Sequence, residues 1–414
     1  MDVRIFPSAL SGSFSAPLSK SCMHRALLCA AGADVPVELS FSGTLPDDAL
    51  RTVSALPALG STVTEVPSGI LVSPADGLRA LPSMVDCGGS ASALRFLMCR
   101  FAAEGIPMSF GMDSSLSVRP LKSLSDMLRE HGIEVGEEPV SVSGKLKGNE
   151  YTVDGSVTSQ YLSGILMALP FTGEKCTVRL STPLSSAGYV KMTLDIMNDF
   201  GLKAVRSGDT FTVFPGRGKL PEKYQVEGDW SGAAFILAAA AISGSVTASD
   251  LDPLSSQPDR EILDILSASG AETRVTGETV SVRNSSLRPF DADADGCPDL
   301  VPVLAALAAN IPGRSVIRNT GRLRYKESDR VDALVKGLGS LGAAVEVIGE
   351  DMHISGGELH FAKVDPFGDH RIAMALAVAS LRCGCVIGGA ECVDKSFPGF
   401  FGTLGETGVR YERI

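Results

Sequence analysis

Six glycines at nearly constant spacing constrain the fold of this 414-residue chain more than any other feature of its sequence. Each follows a helical pattern and precedes a short β-prone run. They are Gly60, Gly132, Gly201, Gly270, Gly342 and Gly408, spaced 72, 69, 69, 72 and 66 residues apart. Glycine just past a helix supplies a left-handed C-cap, so each copy predicts a helix, a turn and a strand. Six copies at this spacing indicate duplication of one small α/β unit.

The segments between these turns indicate how the units pack. The helices before the turns are amphipathic, as over residues 121–128, whereas residues 231–242 and 372–381 are apolar on nearly all sides and should be buried. A chain of this length is expected to form two or more domains. We therefore predict two pseudo-symmetric α/β domains of three units each, with a ligand cleft between them.

Composition excludes several classes of protein. The net charge is −11, with one Trp and six Tyr, which argues against the basic, aromatic surface of a nucleic-acid binder. No apolar run approaches the ~20 residues of a membrane span, and the run at 26–31 is too short for a secretory signal. The nine cysteines are odd in number, irregularly spaced and without a Cys-x-x-Cys pair. They predict reduced thiols in a cytoplasmic protein rather than disulfides or a zinc site.

Residues 322–330 concentrate charge, with four cations and two carboxylates in nine residues. Alone, such a run would be a solvated, salt-bridged helix start. Three other segments, at 20–25, 368–371 and 394–398, have the same character. This recurrence favours a binding site for a multiply charged anion.

The remaining polar segments each allow two interpretations. Lys20, Ser21 and Arg25 could bind an anion at a helix start, where Ser19 or Ser21 could instead be an ordinary N-cap. The Gly-Ser turn before Arg95 could be an anion nest or a capped helix. The donors of residues 158–160 and 185–189 suit a polyol or phosphate ester, or simple capping.

Three further positions complete the set of candidates. Arg119 precedes a proline expected to start a helix. Asp299, before the apolar run 301–309, is either a helix cap or a carboxylate facing a cleft. A buried Arg371 would need a partner, for which Asp369 is the candidate. His370 could equally be a core histidine, and we do not predict that it is a base.

Taken in order, these segments resemble the 5-enolpyruvylshikimate-3-phosphate synthase family from end to end. The resemblance rests on Leu-Ser-Lys-Ser with His-Arg, Arg-Pro-Leu, Thr-Ser-Gln-Tyr-Leu, Glu-Gly-Asp-Trp-Ser, Pro-Asp-Leu-Val-Pro, Leu-Arg-Tyr-Lys-Glu-Ser-Asp-Arg, Gly-Asp-His-Arg-Ile-Ala-Met and Lys-Ser-Phe-Pro. It implies the enolpyruvyl transferase fold, an α/β, inverse α/β barrel-like arrangement of two lobes, each of three βαβαββ units. One lobe would comprise residues 1–18 with 229–414 and the other 19–228, with the active site in the cleft between them.

The resemblance also implies an activity. The enolpyruvyl group of phosphoenolpyruvate would pass to the 5-hydroxyl of shikimate 3-phosphate by addition and elimination, releasing phosphate on the route to aromatic amino acids, without metal or organic cofactor. The two substrates would bring roughly five or six negative charges, which the cations of the motifs could offset. We expect a cytoplasmic monomer whose partners are these small anions, and neither nucleic acid nor a membrane.

Matching positions imply roles for individual residues. Phosphoenolpyruvate would face Lys20, Arg95, Arg119, Arg330, Arg371 and Lys395. Shikimate 3-phosphate would be held by Ser21, Arg25, Thr158, Ser159, Gln160, Ser186, Tyr189, Asp299 and Lys326. Asp299 near the 5-hydroxyl and Glu327 near the methylene carbon would be the catalytic acid–base pair, assisted by Lys20. Which carboxylate moves which proton stays open.

Two departures from the family pattern matter, one in the glycine-rich loop and one at Arg322. The family commonly has Gly at Ala91 and Asn or Glu at Gly89. We hypothesise that the Ala91 methyl narrows the phosphoenolpyruvate pocket and weakens binding of the inhibitor glyphosate. Arg322 replaces an Asn of some relatives, so its role is left open.

Rival functions are less well supported. The UDP-N-acetylglucosamine enolpyruvyl transferases usually carry a cysteine in the loop before their Arg-Pro, and residues 113–118 contain none. A non-catalytic relative would be expected to have lost Asp299, Glu327 or Lys20. RNA-end processing on a related fold is disfavoured by charge and aromatic content.

Overall fold

The computed structural model describes residues 1–75 and 82–414, which divide into two compact units. Lobe one comprises Met1–Ser19 and Glu227–Ile414, and lobe two comprises Lys20–Val226. Within the described residues each lobe holds three four-stranded sheets. The predicted fold class, α/β with three repeat units in each of two lobes, is confirmed.

Short strands build the sheets. In chain order they are β1 (Val3–Ile5), β2 (Ser13–Ser15), β3 (Val37–Ser40), β4 (Ser61–Val66), β5 (Gly69–Pro74), β6 (Val85–Asp86), β7 (Met108–Gly111), β8 (Glu134–Glu137), β9 (Val140–Ser143), β10 (Glu150–Val153), β11 (Cys176–Leu180), β12 (Ala204–Ser207), β13 (Thr210–Val213), β14 (Lys223–Gln225), β15 (Ser245–Ser249), β16 (Glu272–Thr276), β17 (Thr279–Arg283), β18 (Asp291–Asp293), β19 (Gly313–Arg318), β20 (Ala344–Ile348), β21 (Asp351–Gly356), β22 (Ala362–Val364), β23 (Cys385–Ile387) and β24 (Tyr411–Arg413). The lobe-two sheets have the strand orders β14-β3-β5-β4, β6-β7-β9-β8 and β10-β11-β13-β12. Those of lobe one are β22-β23-β1-β24, β2-β15-β17-β16 and β18-β19-β21-β20.

Helices connect and cover these strands. The α-helices are α1 (Lys20–Ala30), α2 (Asp47–Val53), α3 (Ala91–Glu104), α4 (Ser114–Ser117), α5 (Lys122–Glu130), α6 (Ser159–Ala168), α7 (Ala187–Asp199), α8 (Trp230–Ile242), α9 (Ile262–Ala268), α10 (Val301–Ala309), α11 (Arg330–Ser340), α12 (His370–Ala379) and α13 (Phe400–Glu406). Short 3-10 helices cover Leu56–Leu59, Leu169–Thr172, Pro258–Glu261, Pro298–Leu300, Gly321–Tyr325 and Ala390–Lys395. Among the residues described, no helix has both the length and the apolar character needed to cross a membrane.

All six sheets share one pairing pattern. Two neighbouring strands are parallel, as β6 and β7 are, and the next two are antiparallel, as β9 and β8 are. In four sheets the parallel strands are joined by one crossover helix, α3, α6, α10 or α12, as the predicted unit requires, whereas β14 and β3, and β2 and β15, are far apart in the chain. Each sheet is therefore one copy of the repeat.

The repeat glycines lie where the sequence predicts them. All six adopt positive φ, from 67° at Gly201 to 102° at Gly342. The first follows the 3-10 helix Leu56–Leu59, and the others follow α5, α7, α9, α11 and α13. Each precedes a strand, so the predicted order of helix, turn and strand is confirmed.

Apolar helices form the interior of lobe one. Every residue of α8, α10 and α12 is buried, and the three helices pack against one another. The predicted helix over 301–309 has those bounds, whereas the one predicted over 372–381 begins two residues earlier, at His370. The earlier start draws His370 and Arg371 into the first turn of α12.

The first residues of the chain complete two sheets of lobe one. Strand β1 lies between β23 and β24, with Val3 opposite both Ile387 and Arg413. Strand β2 pairs in parallel with β15. The sheets of lobe one consequently contain strands from both ends of the described chain.

Candidate active site

The predicted site residues share one kind of position within their lobes. Most follow the carboxyl end of a parallel strand and lie at or near the start of the next helix. Asp299 lies between β18 and α10, for example, and Gln160 is the second residue of α6, which follows β10. Free N–H groups and the helix dipole favour anions at such ends. Each lobe therefore presents its polar side chains at helix starts.

Lys20 is the first residue of α1 in lobe two, and its Nζ lies 2.8 Å from Oδ2 of Asp48 in α2. Both side chains are largely buried, with 14% and 8% of their surfaces exposed. Because α1 begins at Lys20, Ser21 lies inside the helix, and its alternative assignment as the N-cap is wrong. The Ser19 hydroxyl donates to Gln257 Oε1 at 3.2 Å.

Arg25 joins α1 to α7. Its Nε donates to Thr193 Oγ1 at 2.8 Å, and its Nη atoms donate to the carbonyls of Ser21 at 2.7 Å and Tyr189 at 3.3 Å. Burial lowers the pKa of Arg25 to about 10, so the guanidinium stays charged at neutral pH. Ser186, just before α7, has a φ of 53°. The structure thus brings Ser21, Arg25 and Tyr189 together. Ser186 directly precedes α7, the helix that carries Tyr189.

Arg95 is the centre of a second group in lobe two. Its Nη1 donates to Gln160 Oε1 at 2.6 Å and its Nη2 to the Pro120 carbonyl at 2.8 Å, while Gln160 Nε2 donates to Ser92 Oγ at 2.9 Å. Ser90 caps α3 by accepting from the Ala93 N–H at 3.3 Å. The capped-helix interpretation is thus correct for this turn, and the cap places Arg95 one turn into the helix.

Two segments flank the Arg95 group. Thr158 caps α6 by accepting from the Gln160 N–H at 3.3 Å, so it has the capping role, and Ser159 is the buried first residue of that helix. Arg119 Nε donates to the Ser115 carbonyl at 3.3 Å. The proline after Arg119 was expected to start a helix, but α5 begins at Lys122, after an N-cap at position 121. Arg119 therefore belongs to the α4–α5 connection.

Asp299 is contacted by three cations in lobe one. Its Oδ1 lies 3.2 Å from both Lys326 Nζ and Arg330 Nη1, and its Oδ2 lies 3.1 Å from Arg371 Nη2. Burial alone would raise the pKa of Asp299, but Arg371, Lys326 and Arg330 outweigh it and hold that pKa well below its usual value. Asp299 is therefore ionised at neutral pH.

Arg330 is in turn contacted by three carboxylates. Its Nε lies 2.8 Å from Asp369 Oδ2, its Nη2 lies 2.7 Å from Glu327 Oε2, and its Nη1 contacts Asp299. Only 1% of its side chain is exposed. Burial opposes the charge, but the negative charges of Asp369, Glu327 and Asp299 prevail and raise the pKa of Arg330.

These contacts correct one expected pairing. Asp369 was the candidate partner of the Arg371 side chain, but its carboxylate pairs with Arg330 and caps α12 by accepting from the Arg371 backbone N–H at 2.9 Å. The Arg371 guanidinium instead binds Asp299. Asp369 does not face the Arg371 guanidinium because a residue at the N-cap directs its side chain toward the helix amides. His370, as expected, is a buried residue of the core.

Lobe one therefore holds three carboxylates and three cations in one network. The carboxylates are Asp299, Glu327 and Asp369, and the cations are Lys326, Arg330 and Arg371. Lys395 lies at the end of the 3-10 helix Ala390–Lys395 and is half-buried, outside the contacts that join these six. Across residues 1–75 and 82–414, no group of three or more His, Cys, Asp or Glu side chains is placed to hold a metal ion.

Comparison with known proteins shows the family of this chain. The model of the family described as EPSP synthase (3-phosphoshikimate 1-carboxyvinyltransferase) matches residues 6–404.

The chain belongs to the EPSP synthase family.

Relatives and solved structures agree with this membership over the whole chain. A 3-phosphoshikimate 1-carboxyvinyltransferase of Clostridium perfringens is 35% identical over 412 residues, covering 96% of each chain. Another, from Aeropyrum pernix, is 38% identical over 426 residues, covering 100% of this chain and 97% of the relative. The structure of EPSP synthase from Acinetobacter baumannii superimposes with a TM-score of 0.80 at 27% identity, covering 99% of each chain. These similarities favour the EPSP synthase family over the UDP-N-acetylglucosamine enolpyruvyl transferases.

In this EPSP synthase family member, the side chain of Arg322 is bound to the loop that precedes Asp299. Its Nη2 donates to the carboxylate Oδ1 of Asp295 at 2.6 Å and to the Asp295 carbonyl at 2.9 Å. Asp295 lies four residues before Asp299, and Arg322 four residues before Lys326. The pair thus links the two segments that supply the Asp299–Lys326 contact.

Several residues of the EPSP synthase clusters were not identified from sequence. They are Asp48, Ser92, Thr193, Ser231 and Asp259, each bonded to a predicted site residue or to the partner of one. Ser231 had a signal, because it ends the Glu-Gly-Asp-Trp-Ser motif of the family. Ser92 also had one, because it lies in the Gly-Ser segment before Arg95. Asp48, Thr193 and Asp259 lie outside the recognised motifs, and only the fold brings them near.

A separate cavity of about 550 Å³ opens in lobe one beside the loops that lead to α12 and to Ala390–Lys395. It is lined by Lys363, Val364, Asp365, Pro366, Gly368, Gly388, Gly389, Glu391 and Cys392. Burial, with a contribution from the negative charge of Asp369, raises the pKa of Cys392 to about 12, so this thiol is not a ready nucleophile. This lining includes none of the predicted site residues.

Proposed function

We propose that this protein transfers the enolpyruvyl group of phosphoenolpyruvate to the 5-hydroxyl of shikimate 3-phosphate and releases phosphate. The observation that carries the proposal is the match of the EPSP synthase family model over residues 6–404. The geometry supports it, because both lobes present cations at helix starts and lobe one adds two carboxylates near one another. The UDP-N-acetylglucosamine reaction is the alternative that the experiment below excludes.

The two lobes would contribute differently to substrate binding. Lobe two supplies Lys20, Arg25, Arg95 and Arg119, an excess of cations that suits phosphate and carboxylate groups. The lobe-one network is balanced by its own carboxylates, so an anion arriving there must compete with Asp299, Glu327 and Asp369 for the cations. We propose that each substrate is held by the residues that family position assigns to it.

Proton transfer would use the two carboxylates. In the addition step, the 5-oxygen bonds to C2 of phosphoenolpyruvate, its proton passes to a base, and the methylene carbon gains a proton. In the elimination step, the C2–phosphate bond breaks and the new methyl group returns a proton. Asp299, ionised at neutral pH, is proposed as the base at the 5-hydroxyl. Glu327, which is hydrogen-bonded to Arg330, is proposed to act at the methylene carbon with Lys20 assisting.

The decisive experiment measures phosphate release from phosphoenolpyruvate with shikimate 3-phosphate, in parallel with UDP-N-acetylglucosamine as acceptor. Release with shikimate 3-phosphate alone is expected. Release with the sugar nucleotide alone would assign the protein to the rival activity, and no release with either would indicate a binding role. Asp299→Ala and Glu327→Ala should each lower kcat at least about 100-fold.

We also propose that the enzyme works in the cytoplasm as a monomer. All nine cysteines are free thiols in the structure, and seven are buried, which suits a reducing compartment. Light scattering on the purified protein should give the mass of one 43.2 kDa chain. A mass of two chains or more would contradict the monomer.

A further inference from the structure

The guanidinium of Arg371 is held from the interior of lobe one by a serine. Ser231 is the second residue of α8, and its Oγ accepts from Arg371 Nη1 at 2.6 Å. Both residues are buried, with 5% and 4% of their surfaces exposed. The same Nη1 donates to the Asp299 carbonyl at 3.2 Å, and Nη2 donates to the Asp299 carboxylate at 3.1 Å.

The Ser231 hydroxyl has a second partner. It donates to Oδ1 of Asp259 at 3.2 Å, and Asp259 is 2% exposed within the 3-10 helix Pro258–Glu261. A hydroxyl has one proton, so while it donates to Asp259 its lone pairs face Arg371. The three groups therefore form a directed chain from a guanidinium N–H through a hydroxyl to a carboxylate.

The intervening hydroxyl has an electrostatic consequence. Arg330 is contacted directly by carboxylates, which match its charge within the lobe. Arg371, by contrast, has one direct carboxylate contact, Asp299, while its contact with Ser231 is neutral and the negative charge of Asp259 is one hydrogen bond further away. A neutral acceptor fixes the orientation of Arg371 while leaving more of its positive charge for an arriving anion.

We propose that Ser231 and Asp259 are positioning residues for Arg371, fixing its guanidinium to meet an anionic group of phosphoenolpyruvate. The inference rests on the proposed function, which assigns Arg371 to that substrate. A free arginine side chain must lose rotamer entropy on binding, and the Ser231 contact removes that cost in advance. Without the contact, substrate affinity should fall more than the rate of the chemical step.

The test is the kinetics of Ser231→Ala and Asp259→Asn with phosphoenolpyruvate varied at saturating shikimate 3-phosphate. Loss of a hydrogen bond to a charged group predicts a rise of about tenfold or more in KM for phosphoenolpyruvate, with kcat changed less than about threefold. Asp259→Asn keeps the acceptor but removes its charge, so a smaller rise is expected. Ser380→Ala is the matched control, because Ser380 is equally buried in lobe one and donates to the Ala377 carbonyl at the far end of α12.

A double-mutant cycle separates positioning from general stability. In an Arg371→Lys background, Ser231→Ala should raise KM less than about twofold, because the contact that it removes is already lost. Fluorescence of Trp230, the only tryptophan of the chain and the residue next to Ser231, reports whether the local packing of each variant is intact.

The outcomes distinguish the inference from the function on which it rests. An inactive wild-type protein would refute the proposed function. An active wild type with an unchanged KM in Ser231→Ala, or with equal KM effects of Ser231→Ala in both backgrounds, would overturn the positioning role. If Ser231→Ala fails to fold, Asp259→Asn carries the test, and an unchanged KM there would overturn the role as well.

Discussion

A single guanidinium, that of Arg330, is matched by three carboxylates inside lobe one. Asp299, Glu327 and Asp369 all contact it, and its side chain is almost completely buried. Removing one member of a buried ion network leaves the others desolvated and uncompensated. The arrangement therefore ties the stability of the lobe to the same contacts that shape the site.

Arg330→Met should lower the free energy of unfolding by about 3–5 kcal/mol, because one buried and two partly buried carboxylates lose their shared partner. Urea denaturation at pH 7 measures the loss. Arg314→Met is the matched control, since Arg314 pairs with Glu346 at 3.2 Å and both side chains are at least half exposed. The control should lose less than about 1 kcal/mol. Equal losses in the two variants would contradict the buried network.

Asp299 predicts a specific pH dependence of stability. Its pKa in the folded state is held below its unfolded value, so its stabilising contribution is present above about pH 4 and is lost as pH falls toward the folded pKa. The difference in unfolding free energy between wild type and Asp299→Asn should accordingly narrow between pH 5 and pH 3. Urea titrations across this range give the difference. A gap that widens on acidification would reverse the predicted sign.

Ala91 provides a prediction about inhibitor binding. It is the first residue of α3 and is buried, so a methyl group stands where the family commonly has glycine. Ala91→Gly should increase inhibition by glyphosate, measured as at least a several-fold fall in the inhibition constant against phosphoenolpyruvate. Ala93→Gly, in the same helix, is the control. Full sensitivity of the wild type, unchanged in Ala91→Gly, would refute the narrowing of the pocket.

At the residue scale, the sequence predicted candidate site residues but not the partners to which their side chains are bonded. Local motifs identified Lys20, Arg25 and Arg371. Their partners Asp48, Thr193 and Ser231 lie 28, 168 and 140 residues away in sequence. Long-range partners depend on how helices meet, which no local pattern encodes. The expected Asp369–Arg371 side-chain pair is wrong for a local reason, because Asp369 is the N-cap of α12 and its carboxylate accepts from the Arg371 backbone N–H.

At the scale of elements, α1 and α2 are joined by two matched contacts one turn apart. Lys20 pairs with Asp48, and His24 Nδ1 lies 2.7 Å from Thr52 Oγ1. Residues four apart lie on the same face of a helix, so both contacts hold the same two faces together. His24 thus supports the orientation of the helix that carries Lys20.

His24 should make this helix pair sensitive to acid. Burial lowers its pKa to about 3, so the folded protein keeps the ring neutral while the unfolded chain takes up a proton below about pH 6.5. Wild type should therefore lose about 1.4 kcal/mol per pH unit below that value relative to His24→Asn. Urea denaturation at pH 6 and pH 5 tests this. His360→Asn, at an exposed position, should keep the wild-type slope, and a His24→Asn slope equal to wild type would contradict the prediction.

The repeat itself was accessible from sequence, because its signals are local. The left-handed turn after each helix favours glycine. At Gly201 an added Cβ would also lie only 2.9 Å from the nearest backbone atom. The assignment of β1 and β2 to the later part of the chain came only from the family resemblance. Each of these strands has three residues, which is too short a pattern to predict which distant strand it pairs with.

At the scale of the whole molecule, the lobes differ in how the chain builds them. Lobe two is continuous, and its twelve described strands all lie within Lys20–Val226. Lobe one needs β1 and β2 from the first residues, in addition to Glu227–Ile414. The two lobes should therefore differ in whether they fold as isolated fragments.

A fragment of residues 20–226 should unfold cooperatively in urea, because it contains every partner of its own sheets. A fragment of residues 227–414 lacks a central strand and an edge strand and should remain poorly folded. Adding a peptide of residues 1–19 should restore its structure, as measured by circular dichroism, whereas a scrambled peptide should not. Cooperative unfolding of 227–414 alone would contradict this account.

The position of β1 has a consequence for synthesis. Its backbone partners Cys385–Ile387 and Tyr411–Arg413 belong to the last 30 residues of the chain. At about 5–20 residues per second, the ribosome makes them roughly 20–80 seconds after β1 has emerged. Strand β1 therefore stays without its backbone partners until residues 385–413 have been synthesised.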